Sequence, residues 1–239
     1  MAAATPSIRS LFKLSKAGAP AGGKKFARAP SKRTAPFRRH LVIMAKVPEA
    51  GRVKSRLAQQ IGVAQATWFY RHTTFAVLGR LARSPCWQTY LAITPDQGVA
   101  NPIWPRNLVR VAQGRGDLGQ RMQRAMRLPM PGPLIIVGTD VPGIRPAHIA
   151  AAFKMLGSCD AVFGPATDGG YWLVGQRRRP RNLEMFVNVR WSTPSALADT
   201  LQNLCCYRIG FVATLSDVDT ADDWRKLAAW CGRRILPTV

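Results

Sequence analysis

Four aspartates and one basic loop carry the chemistry for which this sequence can be read. The chain holds only 12 acidic residues among 239. Four of them follow or flank apolar, strand-like runs: Asp140 in LIIVGTDVPG, Asp168 in GPATDGGYW, and Asp217 with Asp219 in LSDVDTADDW. Carboxylates brought together from separate strand ends supply the hard oxygen ligands that Mg2+ or Mn2+ takes, with water and substrate phosphates completing the shell. A metal held in this way neutralises a departing diphosphate. Structural roles compete at each position. Asp140 can form an Asx turn before Pro142, Asp168 beside Gly169 and Gly170 can close a hairpin, and Asp219 or Thr220 can cap the last helix.

The basic loop is AKVPEAGRVKSRL, in which Lys46, Arg52, Lys54 and Arg56 surround a Pro- and Gly-containing turn that runs into a helix. Ammonium, guanidinium and free backbone N–H groups together bind phosphate. The G-K-[ST] ending of a Walker A loop is missing, and the alternative is a solvated basic turn. A second glycine motif, GRGDLG from Gly114 to Gly119, has the G-x-G-x-x-G spacing of a dinucleotide site. Asp117 argues against that reading, because a carboxylate at the helix start caps the amides itself and repels a pyrophosphate.

These residues need a scaffold, and the pattern from Leu41 onward supplies one. Short β-rich runs (Leu41 to Ala45, Thr89 to Thr94, Leu108 to Ala112, Pro133 to Gly138, Asp160 to Ala166, Gly170 to Gln176) alternate with helical stretches, among them Val63 to Arg83. This is an α/β signature. LVIMA and LIIVG are apolar at consecutive positions, as in strands covered on both faces of a mostly parallel sheet. Ligands of such sheets bind beyond the carboxyl ends of the strands, where the basic loop and Asp140 fall.

Charge is strongly asymmetric. The formal net charge is +23, and ten of the 35 basic residues but none of the acids lie in residues 1–40. That segment reads as a basic, disordered arm, rich in Ala, Ser, Pro and Gly, and residues 41–239 as the folded domain. So cationic a chain favours anionic partners. A nucleic-acid-binding protein with a degenerate enzyme fold is one alternative, yet no aromatic–basic alternation of a stacking platform is present, and nucleic acid is not expected as a specific partner. Tyr171, Trp172 and Trp191 read as core or pocket wall, and the three histidines form no triad with Ser or Cys. No apolar run reaches the length of a membrane span. The domain is expected to be soluble and cytoplasmic, with its five cysteines reduced and mostly buried.

Together the series AKVPEAGRVKSRL, QGRGDLGQRM, LIIVGTDVPG, VFGPATDGGYWLVG, VRWST and LSDVDTADDW resembles the bacterial family of GT-A-like nucleotide-diphospho-sugar transferases, some labelled arsenosugar-biosynthesis glycosyltransferases, from about Leu41 to Trp230. That family is related in fold to molybdenum-cofactor and 2-phospho-lactate guanylyltransferases. The resemblance implies a three-layer GT-A-like fold and a nucleotide at the carboxyl ends of the sheet with Mg2+ or Mn2+. It also implies Lys46, Gly51, Lys54 and Arg56 on phosphates, Gly116 and Asp117 lining base or ribose, and Asp140 with Asp219 on the metal. Two departures stand out: K-S-R replaces the more usual K-T-R, and GTD offers one carboxylate where a typical GT-A enzyme has Asp-x-Asp. The expected activity is glycosyl transfer from a nucleotide-sugar to a small acceptor positioned or deprotonated by Asp168. The alternative is nucleotidyl transfer from a nucleoside triphosphate to a phosphorylated small molecule.

Overall fold

A computed structural model describes residues 38–129, 131–179 and 182–231. The expected basic arm lies outside the described residues except for its last three. His40, assigned to the arm on sequence, is instead buried as the first residue of strand β1 (His40–Lys46), where its ring bonds the Pro131 carbonyl at 3.0 Å.

Six further strands follow: β2 (Gln88–Thr94), β3 (Val109–Ala112), β4 (Leu134–Val137), β5 (Ala161–Pro165), β6 (Tyr171–Gln176) and β7 (Ile209–Phe211). They form one sheet in the order β3-β2-β1-β4-β6-β5-β7. Pairing is parallel except where β6 runs antiparallel between β4 and β5. The β7 strand was not foreseen; three residues with a central glycine give too little alternation to read.

The helices are α1 (Ser55–Ile61), α2 (Val63–Leu81), α3 (Leu118–Met126), α4 (Pro146–Met155), α5 (Ala196–Gln202) and α6 (Ala221–Cys231). They explain the continuous apolar runs. Leu41, Ile43 and Ala45 point to one face, against α2 and α4 through Val77, Leu81, Ile149 and Phe153. Val42 and Ile136 point to the other face, against Met122, Ala125 and Met126 of α3. Side chains alternate along a strand, so a strand with both faces covered must be apolar at every position. The result is the expected three-layer α/β arrangement.

The cysteines depart from expectation. Cys86, Cys205 and Cys206 are exposed and Cys159 is half-buried. All four of these thiols lie in turns or loops, where apolar composition gives no burial. Among the described residues no helix is long and apolar enough to cross a membrane.

Candidate active site

A cleft of about 820 Å³ opens at the carboxyl ends of β1 and β4. Six of the nine site residues expected from sequence line it: Lys46, Lys54, Arg56, Asp140, Asp168 and Asp219. Its geometry is set by how the loop after β1 is anchored. Val47 and Val53 are buried at its two ends, and the turn between them closes through Arg52 N–H donating to the Glu49 carbonyl, with Gly51 at φ 75°. A positive φ of this kind favours glycine. Gly51 therefore shapes the loop, and it does not line the cleft.

Lys54 is the half-in residue before α1 and has left-handed backbone, φ 47° and ψ 49°. Its ammonium lies 2.8 Å from Asp140 Oδ1 and 2.6 Å from Asp219 Oδ1. Only 6% of the Lys54 side chain is exposed, against 50% for Asp140 and 39% for Asp219. Burial alone would lower the ammonium's pKa, but the two carboxylates outweigh it and hold it above its ordinary value.

The long reach from residue 54 to residue 219 has a packing cause. Leu57 of α1 is buried with Ala66 and Phe69 of α2 and with Val218. In an extended segment neighbouring side chains point opposite ways. With Val218 directed into this cluster, Asp217 and Asp219 turn to the cleft, which both of them line. Ala221 N–H donates to Gln60 Oε1 at 2.6 Å and fixes the same segment against α1.

The competing cap reading for Asp219 does not hold. Thr220 caps α6, its hydroxyl accepting from Asp223 N–H at 3.3 Å while Asp223 Oδ2 accepts from Thr220 N–H at 3.0 Å. This reciprocal capping box leaves the Asp219 carboxylate to Lys54. Asp140 stands three residues past the end of β4. The neighbouring Thr139 is buried and donates to Tyr70 Oη at 3.4 Å, while that hydroxyl also bonds the Lys46 backbone. One buried tyrosine thus ties the ends of β1 and β4 together. Its own pKa is raised, by burial first and then by the charge of Asp140.

Asp168 sits on the turn between β5 and β6, where Oδ1 accepts from Gly170 N–H at 2.9 Å. The turn role and the cleft position coexist. A Cβ on Gly169, which has φ 87°, would lie 2.3 Å from the Pro194 carbonyl oxygen, so glycine lets the hairpin approach the segment carrying Trp191 and Ser192. Trp191 is set edge-on to Tyr171, with ring centroids 6.4 Å apart, as one wall of the cleft. Arg190 holds that segment through a bidentate pair with Asp199, at 2.9 and 2.8 Å. The pair keeps Asp199 down at about 2.

Gly116 and Asp117 do not line the cleft. Asp117 caps α3, its Oδ1 accepting from Gln120 N–H at 2.8 Å while Gln120 Oε1 accepts from Asp117 N–H at 3.2 Å. Gly116, at φ 107°, packs so closely on Gln120 that a Cβ would lie 2.0 Å from Oε1. What this motif presents to the cleft is the next turn of helix, Leu118, Arg121 and Met122. Their i, i+3, i+4 spacing is one helical face, a signal present in the sequence. Asp217, grouped with Asp219 in the sequence but given no role of its own there, also lines the cleft. Burial first, then the charges of Asp219 and Asp168, push its carboxyl up to about 6, and a perturbed acid in a cleft is a mark of chemistry.

Among the described residues no three His, Cys, Asp or Glu gather as a ready metal site. The Asp140 and Asp219 pair could hold a hard cation nonetheless. Both oxygens lie within 2.8 Å of one nitrogen, and Mg2+ commonly takes one or two carboxylates and leaves the other positions to water and phosphate.

Residues 77–193 match the sequence model of a family described as an uncharacterized protein conserved in bacteria (DUF2064). No curated protein matches the chain. Among solved structures, a proposed nucleotide-diphospho-sugar transferase from Desulfovibrio desulfuricans G20 is 27% identical, with a TM-score of 0.75 over 83% of this chain and 89% of that one. The chain has the GT-A-like nucleotide-diphospho-sugar transferase fold. Two nucleotidyltransferases share this GT-A-like fold at lower identity. The 4-diphosphocytidyl-2C-methyl-D-erythritol synthase of Anaerococcus prevotii DSM 20548 is 12% identical, covering 82% of this chain and 97% of that one with a TM-score of 0.54. CMP:2-keto-3-deoxy-manno-octonic acid synthetase, solved with CTP, is 14% identical over 81% and 98%, with a TM-score of 0.51.

Proposed function

We propose that this GT-A-like chain is a metal-dependent transferase with a nucleotide-activated donor, and that it moves a glycosyl group from a nucleotide-diphospho-sugar to a hydroxyl of a small acceptor. One observation carries the reading: Asp140, Asp219 and Lys54 meet at the rim of a cleft that also holds Asp168, Asp217 and an aromatic wall. Asp140 and Asp219 would hold Mg2+ or Mn2+, which when bound supplies charge neutralisation for the nucleoside diphosphate. Lys46, Arg52 and Arg56 line the same cleft and are exposed, so their charges can reach the diphosphate oxygens without first breaking a buried pair. Preorganised charge of this kind is commonly the largest single contribution to such a reaction.

The acceptor oxygen forms a bond to the anomeric carbon as the bond from that carbon to the diphosphate oxygen breaks. Asp168 takes the hydroxyl proton. Tyr171 and Trp191 present ring edges and faces that exclude water from the reacting carbon and pack against a sugar ring.

A second reading is nucleotidyl transfer, in which a phosphorylated acceptor attacks the α-phosphate of a nucleoside triphosphate and pyrophosphate leaves. It is favoured by the placement of Asp140 and Asp219 on separate elements, 79 residues apart in sequence. Thermal-shift measurements with nucleoside triphosphates against nucleotide-sugars, each with and without Mg2+ or Mn2+, separate the two. A ligand at 100 times its Kd stabilises by about 2.7 kcal/mol. Metal-dependent stabilisation by nucleotide-sugars is expected. Preference for triphosphates favours the second reading, and no response to either class overturns both.

A further inference from the structure

The contact between Lys54 and the carboxylates has a consequence for how the two ligands bind. The Lys54 ammonium occupies the point at which Asp140 Oδ1 and Asp219 Oδ1 converge, 2.8 and 2.6 Å away. Mg2+ requires oxygens at 2.0–2.1 Å, so an ion bound by both carboxylates needs the region that Nζ now fills. Like charges this close repel strongly at any protein dielectric. The ion and the ammonium therefore compete for one pair of carboxylates.

A displaced ammonium has few places to go. The Lys54 side chain is 6% exposed, its backbone is fixed at φ 47° beside the buried Val53, and Leu57 one turn on is wholly buried. An uncompensated charge in such surroundings is costly. It needs another anion within the sweep of its side chain, in a cleft that must accept a diphosphate.

We propose that Lys54 is an exchangeable counter-ion, which closes the Asp140–Asp219 pair in the free protein and yields it to a divalent cation when a diphosphate is present to receive the ammonium, so that metal and diphosphate bind cooperatively. The inference rests on Asp140 and Asp219 being the metal ligands. It adds that Lys54 sets the affinity for metal alone and the coupling between the two ligands. Coupling between binding sites is reciprocal, so each ligand must raise the affinity for the other by the same factor.

Calorimetric titration of the full chain with Mn2+ alone, inorganic pyrophosphate alone and the two together tests it, with the Mn2+–pyrophosphate association in solution measured separately. In the wild type each ligand is expected to tighten the other by about tenfold or more. Lys54→Met should bind Mn2+ alone about tenfold more tightly than wild type and lose most of the coupling, because the competitor and the group it carries to the diphosphate are both gone. Lys54→Asn, a residue that tolerates left-handed backbone, should shift Mn2+ affinity in the same direction, and circular dichroism melts show that each variant is folded. If folded Lys54→Met and Lys54→Asn bind Mn2+ no better than wild type while Asp140→Asn weakens Mn2+ binding, Lys54 is no competitor and this inference falls with the metal site intact. If neither Asp140→Asn nor Asp219→Asn alters Mn2+ binding, the metal assignment fails and takes the inference with it.

Discussion

The loop after β1 and the loop after β3 look alike in sequence, each with glycines, basic residues and a helix behind it, yet they do opposite things. In the first, the charged group that matters is satisfied from far away: Lys54 reaches Asp140 and Asp219. In the second, the polar groups are taken up close by. Asp117 and Gln120 cap each other, and Arg124 bonds the carbonyls of Gln113 and Arg115. A motif whose donors and acceptors satisfy one another is scaffolding. A cluster whose partners come from separate elements is where a ligand can intervene.

The largest effect that would break this comparison lies in the first loop's partners. Asp140→Asn and Asp219→Asn should each lower transferase activity by about 10²–10³-fold. Thermal denaturation should move little, because either variant leaves Lys54 one carboxylate and both aspartates are part-exposed. Full activity in either variant would reduce the cluster to a structural ion pair.

Leu57→Ala comes next, and it acts through packing. Leu57 is fully buried against Phe69 and Val218, and removing it should cost about 2–5 kcal/mol. Because Val218 stands between Asp217 and Asp219, the cavity should also loosen the segment that presents them. Denaturant unfolding measures the first effect. The second appears as a weaker Mn2+ response in protein that is still folded at the assay temperature, and an unchanged response would show that Val218 does not fix Asp219.

The same distinction governs what the sequence could reveal. Six of the seven strands were legible to within a residue or so as short β-rich runs, and β1 and β4 stood out further because strands covered on both faces must be apolar at every position. The metal-holding candidates Asp140 and Asp219 and the basic loop were legible because acids are scarce and strand carboxyl ends are where such sheets bind ligands. Gly116 and Asp117 were drawn to the cleft by family resemblance, against a local signal that already marked Asp117 as a cap. Asp217 was visible beside Asp219, but its raised pKa comes from burial and from Asp168, a neighbour 49 positions away in sequence. The Lys54 contact is of the same kind, since nothing within the loop says which carboxylates its side chain will meet.

Gly119→Val sharpens the comparison from the scaffolding side. A Cβ there would lie 2.8 Å from Trp191 Cζ2 and 3.0 Å from Phe186 Cβ, so the third glycine of the motif exists to let α3 approach the aromatic wall. Overpacking at this contact should cost about 1–3 kcal/mol, read as a lower Tm. Near-UV circular dichroism should change with it, reporting a displaced Trp191. Affinity for Mn2+ should stay within twofold of wild type, and a larger loss would show that the α3 packing also positions the Asp140–Asp219 pair across the cleft.

The smallest effect is the most discriminating. Asp117→Ala removes the α3 cap and should lower stability by about 1 kcal/mol. If Asp117 met a nucleoside directly, truncation would weaken nucleotide binding well beyond what that loss of stability implies. If its carboxylate serves only Gln120 N–H, binding should be unchanged once the protein is folded. Asp117→Ser restores a capping oxygen without the charge, and it should recover most of the stability while leaving ligand affinity where Asp117→Ala left it. Arg121→Ala removes the neighbour that does line the cleft, and should show the reverse pattern, with affinity lost at little cost in Tm.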